Sequence, residues 1–523
     1  MRTVLISILV ALLLGCAKVG PPIGGPVDKE SPRILSHYPE SDALEVARDT
    51  EVEIVFSEPM NREQTEAALF TSPVGPLQLS WHGPRLRIAM PLAEERTYVL
   101  TVGTGARDMR GNALTKSFTL AFATGLQLDQ GLVQGRVYQD HQPVAGAHVW
   151  AYDLGTFSGE VGLDEPSYQT QSGADGGYEF VRLAPGYYRV LAFRDANRNA
   201  LPDADEWLAL PSASVEVGEE EVLAGDLALA RQQISAPVLK RVQAIHAGRL
   251  MLLFAEAVEP QDLELEVFGL SVESLYAAPD AAEKIYVETA TQEPDQRYAL
   301  QLVFAGAPVQ WDALVRGSAR SDRKPPSFVG LTRNRLAPSD ALDLLFSEAM
   351  QPAALAGFWM ASDSTQALAG DWLWPAPNHV RFAPAEPLAV GAYRLAGSAA
   401  QLVDRAGNSL ADSLLTLSFT VGAETAAIRG QVQAGEEGRV RIAAINEDGR
   451  TYAEWADEKG RFDLNGLLAG IYLLWAFVDR DGNGEYSSGS LSPFRYSEPY
   501  GRYGEPIDLD EDQIVEEVDI PCR

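Results

Sequence analysis

Cysteine is almost absent: Cys16 and Cys522 are the only two in 523 residues. One lies near each end, so disulfides cannot brace the interior and every domain must stand on an ordinary apolar core. Histidine is nearly as rare. The six (His37, His82, His141, His148, His246 and His379) are scattered, without the i, i+4 pair that a zinc protease presents from a helix. Lysine is scarce beside arginine, and 42 basic against 73 acidic side chains leave a formal charge of −31. Nucleic acid is thereby excluded as a partner, because phosphate binding needs clustered cations. There is no G-x-S-x-G elbow, no P-loop and no C-x-x-C. Ser321-Asp322-Arg323-Lys324 fits S-x-x-K only as a chance match inside a linker. The expectation is a protein that is not an enzyme.

What is present begins at the N-terminus. Met1-Arg2 precedes an apolar run from Val4 to Leu14 that is too short to span a bilayer and reads as an export signal. Leu13-Leu14-Gly15-Cys16 follows, and it resembles the lipobox of bacterial lipoproteins. The resemblance implies cleavage after residue 15 and lipidation of Cys16, with more than one acyl chain and hence a durable membrane anchor. The competing reading is an ordinary signal peptide that happens to contain a cysteine. Residues 16–30, rich in Pro and Gly, read as a flexible tether. Ala17 is not an inner-membrane retention residue of the Asp type, so the expected location is the outer membrane, facing the periplasm or exposed at the surface.

Repeats organise the rest. Thr50 to Phe56 alternates apolar and polar residues, as a half-buried strand does, and ends in Ser57-Glu58-Pro59-Met60. The phrase returns at Leu342 to Met350, and in worn form at Leu252 to Ala257. Downstream of the two full copies come further short strands and an Asp-x-x-Gly-Asn turn, Asp108 to Asn112 and Asp404 to Asn408. Short strands at regular spacing separated by Gly, Asn and Pro indicate a β-sandwich. The F-S-E-x-M phrase with its later turn resembles the SbsA-type bacterial Ig-like domain of surface lipoproteins.

A second repeat is longer. Tyr178, Phe180, Leu183, Gly186, Tyr188, Ala192, Phe193 and Asp195 align without a gap on Phe462, Leu464, Leu467, Gly470, Tyr472, Ala476, Phe477 and Asp479. Each copy is a strand, a turn and a strand that runs into a loop of Asp and Asn. With the earlier Gly135-Arg136-Val137 and Gly430-Gln431-Val432, these modules resemble the carboxypeptidase regulatory-like, CnaB-like or prealbumin-like, sandwich. In that family the sandwich is a non-catalytic appendage. Some CnaB-like domains carry a Lys–Asn isopeptide bond; no Lys lies between Lys116 and Lys240, and the last module has only Lys459, at a turn, so none is expected. The fold class is thus all-β, tandem Ig-like and prealbumin-like sandwiches in a string: Ig-like 31–125, regulatory-like 129–232, degenerate Ig-like 234–316, Ig-like 324–422 and regulatory-like 427–523.

The loops that close the two long repeats carry the candidate site. Asp195, Asn197, Asn199, the Leu201 carbonyl, Asp203 and Glu206 fall at places 1, 3, 5, 7, 9 and 12 of a calcium loop. The loop departs from the helical EF-hand in following a strand and in having Ala200 where Gly is usual. The second loop offers Asp479, Asp481, Asn483, Glu485 and Ser487, with Gly484 at the bend and Ser490 where the last acid belongs; Glu498 is the nearest acid able to reach back. Ca²⁺ is the expected cofactor. The competing reading is a solvated Asp/Asn turn.

Trp359, Trp372 and Trp374 offer aromatic faces for stacking a sugar, though Trp81 matches Trp374 in its repeat and so argues for a structural place. The functional expectation is a lipid-anchored envelope protein acting as spacer, scaffold or adhesin. The alternative is a carbohydrate- or protein-binding lipoprotein of an uptake system. The expected partners are the membrane, through the acyl anchor, and a surface glycan or envelope protein.

Overall fold

The structure, a computed structural model, describes residues 29–523 except 204–205, 219–220, 232–236, 312–313, 353–357, 362–367, 400–401 and 411–413. The export signal, Cys16 and most of the tether lie outside the described residues. The chain divides into two compact units, residues 1–129 and 130–523.

Unit one is a sandwich of two sheets. Val52–Phe56 sits between Ile34–Tyr38 and Arg85–Ala89, with Gln78–His82 at the far edge; the facing sheet is Leu69–Ser72, Thr97–Val102 and Phe118–Ala123. The alternation read from the sequence is literal here, because Val52, Ile54 and Phe56 are fully buried while Glu53 and Val55 between them are not. The one short helix, Arg62–Ala67, starts where the Asn61 side chain accepts from the Gln64 N–H at 3.2 Å.

Unit two holds the other four modules. The last Ig-like module repeats the strand order of the first: Phe328–Leu331, Leu342–Phe346, His379–Pro384, Gly370–Ala376. The worn copy keeps the same order in its larger sheet, with Leu239–His246, Arg249–Phe254, Ala281–Thr289 and Val272–Ala278. Its hydrophobic pattern therefore survives where its turn motif has gone.

The two modules that are regulatory-like by sequence resemblance alone also share a topology. In the first, Gly131–Gln139 pairs antiparallel with Gly177–Leu183 and parallel with Leu227–Arg231; in the second, Ala426–Ala434 pairs in the same senses with Arg461–Leu467 and Ile514–Cys522. Further strands run Tyr168–Gln171, His148–Asp153, Gly186–Arg194, Trp207–Ala209 and Thr451–Trp455, Arg439–Asn446, Gly470–Asp479, Tyr500–Arg502; in the second copy they form a separate sheet, whereas in the first Trp207–Ala209 also pairs with Leu227–Arg231 and joins both sets into one continuous sheet. Gly176 and Gly460, both at φ +76°, turn the chain in the two copies, and a Cβ there would lie 2.6 Å from the Val137 carbonyl or 2.4 Å from that of Val432. Only glycine fits such a turn.

Cys522 is a core residue, its Sγ 3.3 Å from the Pro499 carbonyl, and burial pushes its thiol up to about 12. A thiol so placed behaves as a small apolar side chain.

The two regulatory-like modules, at opposite ends of unit two in sequence, meet along a seam. An apolar cluster gathers Trp150, Tyr152, Leu191, Phe193 and Leu208 of the first copy with Leu491 and Phe494 of the second. His141 stacks on Trp475 with ring centres 4.3 Å apart, and its Nδ1 lies 3.1 Å from the Tyr500 hydroxyl. The Arg189 guanidinium covers the Phe494 ring at 4.1 Å and donates to the Tyr496 hydroxyl at 2.8 Å.

Candidate functional site

Both acidic loops begin as the long central strand of their module ends. Asp195 follows Gly186–Arg194 and Asp479 closes Gly470–Asp479. Neither loop has a regular ladder partner, so its backbone N–H groups need other acceptors, and the Asp and Asn side chains supply them.

The first Asp folds the loop around its carboxylate. Asp195 accepts from the N–H groups of Arg198 (2.5 Å), Asn199 (3.1 Å) and Ala200 (2.9 Å). Asp479 accepts at the matching places, from Gly482 (2.7 Å) and Gly484 (3.2 Å). The next two side chains repeat the pattern one step on: Asn197 to the Asn199 N–H at 2.9 Å and Asn199 to the Leu201 N–H at 2.8 Å, against Asp481 to Asn483 at 3.0 Å and Asn483 to Glu485 at 2.5 Å. Asp203 closes the first ring, receiving the Asn197 and Asn199 amides at 2.6 and 2.7 Å; Ser487 closes the second, bonded to Asp481 at 2.7 Å and Asn483 at 3.2 Å. Hydrogen bonds from the Ser487 hydroxyl and the Asn483 N–H hold the Asp481 carboxyl below the ordinary carboxylate value, against a smaller opposing effect of desolvation.

The backbone matches too. Arg198 and Ala200 sit at φ +65° and +59°, where the second copy has Gly482 and Gly484 at +77° and +79°. Ala200, unusual at the bend by sequence, therefore adopts the conformation of the glycine it replaces.

The final acid carries the most information. Glu206 is 5% exposed, and its Oε1 accepts from the N–H groups of Ala196 (2.7 Å) and Asn197 (3.3 Å). Glu498, 3% exposed, accepts from Arg480 (2.6 Å) and Asp481 (3.4 Å), the corresponding N–H groups. Glu498 thus occupies the place of Glu206, although it stands farther along the chain than Ser490, the position that matches by sequence. Spacing alone pointed to it only as the nearest available acid; the intervening chain had to fold before its role was fixed. Its second oxygen takes the Ser487 N–H at 2.9 Å, whereas Glu206 Oε2, also buried, accepts no hydrogen bond from any described residue. In the second loop one carboxylate oxygen from each of Asp479, Asp481 and Glu498 lies within 4.8 Å of the others. Glu485 points an exposed side chain outward, which leaves its carbonyl as the counterpart of that of Leu201.

A second carboxylate triad, Asp322, Glu348 and Asp404, lies where the worn and last Ig-like modules meet. It carries its own cation, Arg249, and beside it a histidine, His246, whose pKa burial lowers. Arg249 donates to Glu348 at 2.9 Å and to Glu288 at 2.6 Å, and His246 Nε2 is 3.1 Å from Asp322. Burial pushes the Glu348 and Glu288 carboxyls up, and Arg249 opposes that rise. Beside them is a cavity of about 710 Å³ lined by His246, Arg249, Tyr286, Arg320 and Lys324 among others. The stretch read as a linker, Ser321 to Pro326, is therefore bound into this junction through Asp322.

The Asp-x-x-Gly-Asn turns are structural. Asp108 accepts from the Arg110 and Asn112 N–H groups at 2.7 and 2.9 Å and from the Asn112 amide at 2.7 Å; Asp404 takes the Asn408 N–H and amide at 2.8 and 2.7 Å. Trp372 and Trp374 pack against the Ig-like core, Trp372 with its ring 4.9 Å from that of Phe382, while Leu373 between them faces out. A stacking platform for sugars is not formed by that pair. Trp359 lies in the strand Phe358–Ala361 of the opposite sheet.

Residues 28–124 match the bacterial Ig-like domain family. No curated protein matches the chain. Among solved structures, the Bacillus anthracis TIE protein is 9% identical, with 99% of this chain and 78% of that one covered and a TM-score of 0.16. BcpA, the major pilin subunit of Bacillus cereus, is 10% identical over 75% of this chain and 99% of its own, at 0.15. FdeC, an Escherichia coli adhesin, is 9% identical over 76% and 99%, at 0.14. At such identities and TM-scores nothing of their roles carries over. The chain is an all-β protein of tandem sandwich modules, the first of which contains a bacterial Ig-like domain.

Proposed function

We propose that this is a non-catalytic protein of the bacterial envelope, held to the outer membrane by acyl chains on Cys16, that works as a structural spacer or scaffold with an adhesive surface. The observation that supports this most is modularity: each sandwich closes its own apolar core, and the prominent polar clusters described above tie loops and junctions together. An Ig-like module at the start of the mature chain and an N-terminal Leu-Leu-Gly-Cys are consistent with an anchored surface protein. The partners proposed are the membrane and a surface glycan or envelope protein.

Replacement Cys16→Ser tests the anchor. The native chain should partition with membranes and carry acyl chains on its first residue by mass spectrometry. The variant should appear unacylated, with the leader intact or cut elsewhere. An unacylated native product would end this reading.

A further inference from the structure

The two oxygen-rich loops and the seam between the regulatory-like modules are joined by a few residues on each side. Glu206 leads directly into the strand Trp207–Ala209, and the next three residues present their carbonyls to the other module. Ser497 Oγ donates to the Leu210 carbonyl at 2.8 Å, the Ser497 N–H to that of Pro211 at 3.0 Å, and Arg480 to that of Ser212 at 3.0 Å. Ser497 precedes Glu498, and Arg480 is the residue whose N–H Glu498 accepts. Each loop's closing glutamate is thus within a few residues of the contact that the opposite module grips.

We propose that the loop Asp195–Glu206 binds a calcium-sized hard divalent cation, that Asp479–Ser487 with Glu498 is its sister site, and that occupancy locks the seam between the two modules. Two independent observations point to an ion. Glu206 Oε2 is buried and accepts no hydrogen bond from any described residue, a costly state for a carboxylate that a cation would relieve. Separately, a glutamate reaches the same place in both loops from different chain positions, and in the sister loop three carboxylate oxygens converge within 4.8 Å. The carboxylates retain free lone pairs beyond their N–H contacts, and the Leu201 or Glu485 carbonyl adds a further hard oxygen. At Glu206, where only Oε1 accepts N–H groups, an amide would do as well if holding them were its whole role.

Glu206→Gln separates these roles, since its carbonyl still accepts from the Ala196 and Asn197 N–H groups while its charge is gone; Glu498→Gln keeps the Arg480 and Asp481 contacts but gives up that to the Ser487 N–H. The full chain in detergent is stripped with chelator and titrated with Ca²⁺ by calorimetry, with Mg²⁺ as control; hydrogen–deuterium exchange is followed in peptides covering 210–214 and 490–497. Calcium should bind and slow exchange in both peptides, and Glu206→Gln or Glu498→Gln should each remove one binding event. Because coupling is reciprocal, Ser497→Ala, which leaves every loop ligand in place, should weaken calcium binding by about 5-fold or more. No calcium binding by the native chain, or undiminished binding by both Gln variants that still melt cooperatively, would overturn the sites. Binding without protection of the seam peptides would overturn the lock. None of these outcomes depends on the lipid anchor or the adhesive role.

Discussion

At Ala200 the residue and its backbone disagree. A side chain at φ +59° is strained, and the sister loop has glycine at the same place with φ +79°. Ala200→Gly should therefore stabilise the module by about 1 kcal/mol, the usual cost of left-handed backbone for an L-residue less glycine's extra unfolded entropy. Chemical denaturation would show it as a raised midpoint at unchanged slope; a lowered midpoint would mean that the loop is not held in this conformation.

Two titratable residues give the seam its pH dependence. Burial holds His141 down to about 4 from 6.5, with Asp140 raising and Arg502 lowering it. Its folded value lies below the unfolded one, so the neutral stack on Trp475 contributes fully above 6.5 and is lost as pH falls toward 4. Asp226 has the opposite sign: burial pushes it up to about 7 from 3.8, against Arg136, Arg502 and Arg523. Its contribution is complete below 3.8 and declines as pH rises through 7. His141→Phe should flatten the acid limb of a melting-temperature profile and Asp226→Asn the limb between 3.8 and 7. Unchanged limbs would show that neither group is buried where the seam places it.

At the scale of elements, the duplicated strand-turn-strand explains why so much was legible in sequence. Alternating burial along Gly177–Leu183 and Arg461–Leu467 reproduces the apolar spacing of Tyr178 and Phe180 and of Phe462 and Leu464, while Leu183 and Leu467, three residues on, stay buried because the pairing shifts register there. A strand's two faces alternate by geometry, so a period of two in the chain is a period of two in burial. Turn chemistry was equally readable, because Asp-Gly and Lys-Gly turns need a positive φ that only glycine adopts easily. Glu498 was less readable. Its approach to Asp479 depends on the path of residues 488–497, which no local periodicity encodes. The inward packing of Trp372 and Trp374 was half legible: their spacing of two puts them on one face, but only the second sheet decides that the face is the core.

At the scale of unit two, the seam brings together modules separated in sequence by about two hundred residues of further strands. Phe494→Ala removes from the seam a partly buried ring under Arg189, and should cost up to about 3 kcal/mol. The loss should appear as a lower-temperature transition or an increased radius of gyration in solution scattering, with the sandwich cores intact by circular dichroism. Unaltered scattering and melting would mean that the seam contributes little to holding the modules together.

The sequence by itself determined the all-β class, the turn residues and the oxygen-rich loops, because all of these depend on contacts between residues near in the chain or on strand periodicity. Tertiary structure alone decided that Glu498 takes the place of Glu206, that Asp322 is drawn into a charged junction with Arg249 and His246, and that the two copies of one module face each other. Those contacts join segments tens to hundreds of residues apart. They are set by which surfaces remain apolar once each sandwich has closed, a property of the folded modules that no stretch of sequence carries on its own.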